Sequence, residues 1–143
     1  MSQIRPLAIC LFSHNDKILV SEEHDPAKGE TFYRPLGGGI EFGEHSTNTI
    51  HRELMEEIGA QVKNLVYLGT IENIFIFNGI PGHEIVQVYD GKLVKFGLYE
   101  QAVISGHEAD VNLPMKVVWK GLDEFGPGQS ILYPEGVLEM LRR

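Results

Sequence analysis

Apolar residues in this chain fall into short β-prone runs, and only one segment carries a clear helical period. Residues 5–12 and 17–22 are rich in Ile, Leu and Val, and the polar breaker Ser13-His14-Asn15-Asp16 separates them, which predicts two strands forming an opening hairpin. Residues 24–31 are polar with Pro26 and Gly29 and predict a loop, after which Phe32-Tyr33-Arg34 begins a short strand leading into Gly37-Gly38-Gly39. Residues 63–77 are apolar and β-prone, broken by Gly69 and Glu72-Asn73. Asn78-Gly79-Ile80-Pro81-Gly82 then predicts a turn before an antiparallel strand from His83 to Tyr89. Residues 100–113 have no period and read as a loop with only short structure, Met115 to Trp119 as a strand, and Pro134 to Leu141 as a C-terminal helix with proline near its first turn.

The periodic segment starts near Ser46 or Thr47, either of which can cap free helix amides. Ile50, Leu54 and Ile58 repeat at i, i+4, i+8 and form an apolar stripe. At about 100° per residue, Glu53, Glu56 and Glu57 fall within roughly a 100° arc centred about 110° from that stripe, so the acids are expected on a face that stays wet while the stripe packs on a sheet.

Three carboxylates so close repel one another, and one adjacent arginine, Arg52, does not balance them. A cation would, and hard oxygen donors suit Mg²⁺ or Mn²⁺. The bland alternative is a solvated acidic helix face, the usual meaning of a charge run. The glycine run weighs against it: Gly37, Gly38 and Gly39 let backbone approach a ligand closely, and their carbonyls can join carboxylates around a metal.

Composition narrows the field. A chain of 143 residues predicts one domain over 1–143, and 43% hydrophobic with 22% charged residues is ordinary for a soluble globular protein. No apolar run approaches the ~18 residues of a membrane span. The start Met1-Ser2-Gln3-Ile4-Arg5-Pro6 has no secretory pattern, so a cytoplasmic, membrane-free protein is expected. Cys10, the single cysteine, sits in an apolar run and reads as a buried strand thiol. The net charge of -8 opposes sequence-independent binding to nucleic acid but allows a small anionic substrate where metal screens the site.

The series Gly38-x5-Glu44-x7-Arg52-Glu53-Leu54-x-Glu56-Glu57-x-Gly59-Ala60 resembles the Nudix box, the signature of Nudix hydrolases, and fills each of its charged and glycine positions over 23 residues. Ala60 stands where the family usually has a bulkier aliphatic, and Leu36 separates Pro35 from the glycines; neither change removes a chemical group. The resemblance implies an α/β (α+β) fold, an α/β/α sandwich of a mixed sheet with one central box helix and a C-terminal helix. It also implies metal-dependent hydrolysis of a nucleoside diphosphate linked to another group X. By the same resemblance Gly37, Glu53, Glu56 and Glu57 hold the metal, Mg²⁺ or Mn²⁺, and Arg52 orients Glu53.

Other candidates rest on position. Glu44 precedes the helix, where a capping role and a metal-shell role are equally open. Arg34, Gly38 and Gly39 are candidate substrate contacts, with Arg34 reaching a phosphate or else covering apolar surface. Family members often draw a base from outside the box, for which Glu100, Glu108 and Asp110 are available. His83-Glu84 and His107-Glu108 match no zinc spacing and read as ordinary, and Trp119 reads as packing. A nucleotide-derived small molecule is the expected partner, and a homodimer is compatible with the sequence. Competing readings are a nucleoside triphosphate pyrophosphatase that clears damaged nucleotides, a non-catalytic nucleotide-binding regulatory domain, and, least supported, RNA cap removal.

Overall fold

The computed structural model describes residues 2–108 and 113–142. In chain order it contains β1 (Ile4–Leu11), β2 (Ser13–His14), β3 (Lys17–Asp25), β4 (Glu30–Gly39), α1 (Ser46–Ile58), β5 (Val62–Phe77) and β6 (Ile80–Leu93). A short 3₁₀ turn (Phe96–Glu100) leads to β7 (Val103–Glu108) and β8 (Leu113–Gly121), and α2 (Val137–Leu141) closes the chain. The strands run β5-β6-β1-β4-β3-β8-β7, with β2 paired to β3; β1 and β6 are parallel and the other pairs antiparallel.

β1 is apolar without alternation from Leu7 to Leu11 because both its faces are buried. Ala8 and Cys10 pack with Leu19, Ile50 and Leu54, while Leu7, Ile9 and Leu11 pack with Ile18, Val20, Val86, Val88 and Val137. Helix α1 supplies Ile50 and Leu54 to the first cluster and α2 supplies Val137 to the second, so helices lie on opposite faces of a mixed sheet. This is the expected α/β/α arrangement of an α+β fold. Cys10 is fully buried, and burial is the main cause that pushes its thiol pKa up.

Several boundaries differ from the sequence reading. β1 and β3 do not form a hairpin: β3 turns back onto β2, while β1 lies between β4 and β6. The stretch 24–31 is a tight connection between extended strands, because Asp25 Oδ1 accepts from the amides of Ala27 at 3.0 Å and Lys28 at 3.4 Å. It also accepts from Asn78 N at 3.1 Å, tying this turn to the tip of the β5–β6 hairpin. That tip is the pair Asn78-Gly79 alone, both left-handed with φ of 52° and 78°, so Pro81 and Gly82 belong to β6. β7 occupies the segment expected to be a loop, and α2 spans five residues, beginning after Pro134.

β4 is the strand that builds the site. Residues Glu30–Pro35 pair with β3, and Leu36–Gly39 pair with β1. At the changeover Gly37 has φ 152°, and a Cβ there would collide with the Ala8 carbonyl. A side chain at Gly37 would therefore push β4 off β1.

Leu54 is fully buried where α1 meets the sheet. Leu54→Ala should lower unfolding stability by about 2–5 kcal/mol, read from urea denaturation.

Candidate active site of clustered glutamates

Helix α1 begins without a side-chain cap: His45 is the cap residue, and Ser46 is already helical with its hydroxyl 2.6 Å from Tyr89 Oη. The capping role expected of Ser46 or Thr47 is thus not used. The C-terminus closes on Gly59, left-handed at φ 64°, with Gly59 N bonded to Met55 O and Ala60 N to Leu54 O. Ala60 then tucks into the core at 2% exposure, which accounts for a small residue there.

Two of the three acids of α1 do not stay wet, while Glu56 remains partly exposed. Glu53 and Glu57 are 7% and 4% exposed, because the glycine end of β4 and strand β7 pack over them. Gly38 lets Glu53 in, since a Cβ there would collide with its carboxylate, and Gly106 of β7 lets the helix end in, its virtual Cβ lying 2.6 Å from Glu57 O.

Arg52 binds the cluster together. Its Nε and Nη2 donate to the two oxygens of Glu44 at 2.8 and 3.0 Å, Nη1 donates to Glu53 at 2.9 Å and Glu56 at 3.4 Å, and Nη2 also donates to Gly39 O at 3.0 Å. Glu44 is not a helix cap: Arg52 first, then the Thr49 hydroxyl at 2.7 Å, holds its carboxyl down at about pH 2. The same Glu44 contact is the main cause that pushes the Arg52 pKa up.

Glu57 behaves oppositely. Burial, then the charges of Glu53 and Glu108, raises its pKa to about 9, against a smaller favourable contribution from the Gly37 amide. Its Oε1 is buried with no hydrogen-bond partner. A buried carboxylate oxygen lacking a donor, flanked by two further acids, suits a hard divalent cation. Among the described residues no three acidic, histidine or cysteine side chains gather tightly enough to enclose an ion by themselves, so backbone, water or substrate oxygens would complete the shell.

Two cavities meet beside this cluster. The smaller, about 180 Å³, is lined by Gly37, Gly38, Gly39, Glu53 and Glu57; the larger, about 390 Å³, by Phe32, Phe75, Phe77 and Tyr133 together with several acids. Arg5, Glu23, Arg34 and Glu108 line both. Arg34 does not stand alone: its Nη2 donates to Glu84 at 3.3 Å. Glu100 lies elsewhere, against His14 and Trp119, and Asp110 falls outside the described residues. Trp119 packs as expected, with Nε1 donating to Leu98 O at 2.9 Å and its ring stacked on Tyr99.

Glu23 and Arg5, not singled out in the sequence, line both cavities, and Glu84, which reads there as ordinary, lines the larger. Glu84 did leave a signal: on the same face of β6 the next positions are Val86 and Val88, both fully buried, so an acid there interrupts an apolar row.

A family model described as NUDIX domain matches residues 3–114. The chain belongs to the Nudix hydrolase family. Among Nudix proteins, the NAD-capped RNA hydrolase NudC of Pseudomonas syringae pv. tomato is 35% identical over 68 residues, covering 48% of this chain and 24% of the relative. The mitochondrial NAD(P)H pyrophosphatase NUDT13 of Mus musculus is 30% identical over 95 residues, covering 60% and 26%. The chain thus spans about a quarter of the length of these curated relatives. The MutT Nudix hydrolase of Burkholderia pseudomallei shares the fold at TM-score 0.68 and 18% identity, over 99% of this chain and 98% of that one.

Without metal, the folded Nudix chain keeps the Glu57 proton to about pH 9, whereas an ordinary glutamate loses it near 4.5. The folded state binds the extra proton between those values, so Glu57 lowers stability as pH rises through that window. Glu57→Gln should therefore raise the metal-free unfolding free energy near neutral pH by on the order of 3 kcal/mol and give no gain near pH 4.5, as urea denaturation at the two pH values would read. A divalent cation bound at Glu57 would have to displace this proton, so Mn²⁺ affinity measured by calorimetry should rise as pH increases toward 9.

Proposed function

We propose that this chain is a divalent-metal-dependent pyrophosphohydrolase that splits the diphosphate of a nucleoside diphosphate linked to a further group X. One observation carries the reading. Arg52 clamps Glu44, Glu53 and Glu56 at 2.8–3.4 Å against the glycine strand, while a buried Glu57 oxygen beside them has no partner. A structural ion-pair network would have no use for that oxygen.

Glu53, Glu56 and Glu57, with the Gly37 carbonyl, would hold Mg²⁺, or Mn²⁺ in its stead. The ion would neutralise phosphate oxygens and lower the pKa of a bound water. Arg52 keeps Glu53 ionised and fixed in direction, a role that its planar fork suits. Gly38 gives Glu53 room and, with Gly39, a flat backbone wall along which a diphosphate can lie. In the reaction water forms a new bond to one phosphorus, the bridging P–O bond breaks, and two phosphate monoesters leave. The water's proton passes to a carboxylate, for which Glu108 at the end of β7 is the candidate outside the box, since its charge acts on Glu57.

The names of the relatives direct attention to a dinucleotide of the NAD type, free or at an RNA end. The net charge of -8 and the six acids lining the larger cavity favour the free dinucleotide. A cavity of about 390 Å³ with four aromatic rings is of a size to take a nucleoside.

A panel of dinucleotides, nucleotide sugars and nucleoside triphosphates, assayed with Mg²⁺ and product analysis, tests the reading. Cleavage within a diphosphate to two monoesters is expected; pyrophosphate released from triphosphates alone would select the alternative pyrophosphatase. Glu53→Gln and Glu57→Gln should each lower kcat at least about 10²-fold with circular dichroism unchanged, and near wild-type rates in both would return the chain to a binding role. Glu108→Gln should cost about 10² to 10⁴ in rate and flatten the alkaline limb of the pH profile, whereas Glu100→Gln should be near neutral.

A further inference from the structure

Glu84 is 2% exposed, on a strand face that continues with the fully buried Val86 and Val88. The sheet register sets Arg5 of β1 on one side of it and Asn73 of β5 on the other. Its Oε1 accepts from Arg34 Nη2 at 3.3 Å and Asn73 Nδ2 at 3.2 Å, and Arg5 Nη1 lies 3.8 Å from Oε2. Burying a carboxylate is costly even when paired, and apolar residues of similar volume usually serve packing as well or better. A charge kept in an apolar row therefore asks for a purpose beyond packing.

The two arginines supply one. Their side chains are 30% and 60% exposed, and both line the neck where the two cavities join. Arg5 also reaches toward the glycine wall, its Nη2 lying 3.5 Å from where a Gly39 Cβ would sit. Glu23 and Glu108 line both cavities as well. A diphosphate running from the aromatic cavity to the glutamate cluster would pass these four side chains, and beside two acids a phosphate needs cationic donors such as the arginines.

We propose that Glu84 is a positioning residue for the substrate: its buried carboxylate fixes Arg34, and secondarily Arg5, at the neck so that their remaining N–H donors grip the phosphate lying on the cavity side of the one attacked. The proposal rests on the pyrophosphohydrolase reading for its substrate class. Glu84 does so at a cost in local charge, since it offsets part of the positive field. The benefit is direction, because a guanidinium held by one edge presents the other edge in a fixed orientation.

The test compares Glu84→Gln, Arg34→Ala and the double variant by steady-state kinetics on the best diphosphate substrate. Calorimetry with Mg²⁺ and α,β-methylene-ADP, whose carbon bridge resists hydrolysis, runs alongside. Glu84→Gln should raise KM at least about tenfold with kcat within about threefold, and should weaken the analogue by the same factor while Mn²⁺ affinity holds. The double variant should be no worse than Arg34→Ala alone, since both changes remove one device. Tighter analogue binding in Glu84→Gln would mean that the carboxylate only dampens the arginines, and would overturn the proposal. So would multiplicative losses in the double variant, or a loss confined to kcat. Should Glu84→Gln not fold, Arg34→Lys decides: it keeps the charge without the fork, so loss like that of Arg34→Ala is expected and wild-type affinity contradicts fixed orientation. If no diphosphate is hydrolysed by the wild type, the hydrolase reading fails, while analogue binding still tests Glu84.

Discussion

The ion pairing of Arg52 is the contact on which the site depends. Without it, Glu44, Glu53 and Glu56 would stand near one another with no compensating charge, and their mutual repulsion would spread them into solvent. With it, one guanidinium reaches from α1 to the segment before the helix and to Gly39 O of β4, so a single side chain fixes the helix against the glycine strand. Glu57 lies outside this arrangement. Its partnerless oxygen stands beside a cluster in which one guanidinium faces three carboxylates, so the site keeps a net negative charge that a cation can meet.

This division explains why the fold tolerates an acid cluster at the centre of its packing. Ile50 and Leu54 anchor α1 in the core, and the glycines at 38 and 106 let two strands approach the helix at Glu53 and Glu57 more closely than any side chain would allow. Burial then follows from packing, and raised proton affinity at Glu57 follows from burial. The protein stores the cost of gathering charge in one protonated carboxyl, which a cation can relieve.

Much of this was legible in the sequence because the box is local: its spacing sets Arg52, Glu53, Glu56 and Glu57 on one helix and Gly37–Gly39 in the segment before it. The strand beginning at Phe32 and the β-prone stretch 63–77 were legible through their β-branched and aromatic content. What could not be read depended on register. Glu84 and Arg5 are 79 residues apart and meet only because β1 and β6 pair in parallel, a pairing without local turn chemistry to announce it. β7 was hidden because Ser105, Gly106 and His107 break the apolar alternation, and Gly106 is there for the sake of the helix backbone rather than the strand. The burial of Glu53 and Glu57 was not foreseen for the same reason: helical periodicity gives directions around an axis, and only the sheet decides which directions are covered.

Metal dependence of turnover tests the central claim most directly. Hydrolysis of the best diphosphate substrate should vanish in excess EDTA and return when Mg²⁺ exceeds the chelator, with Mn²⁺ as a substitute, since the clustered groups offer only hard oxygen donors. Full turnover in EDTA, after prior removal of bound metal, would contradict the account.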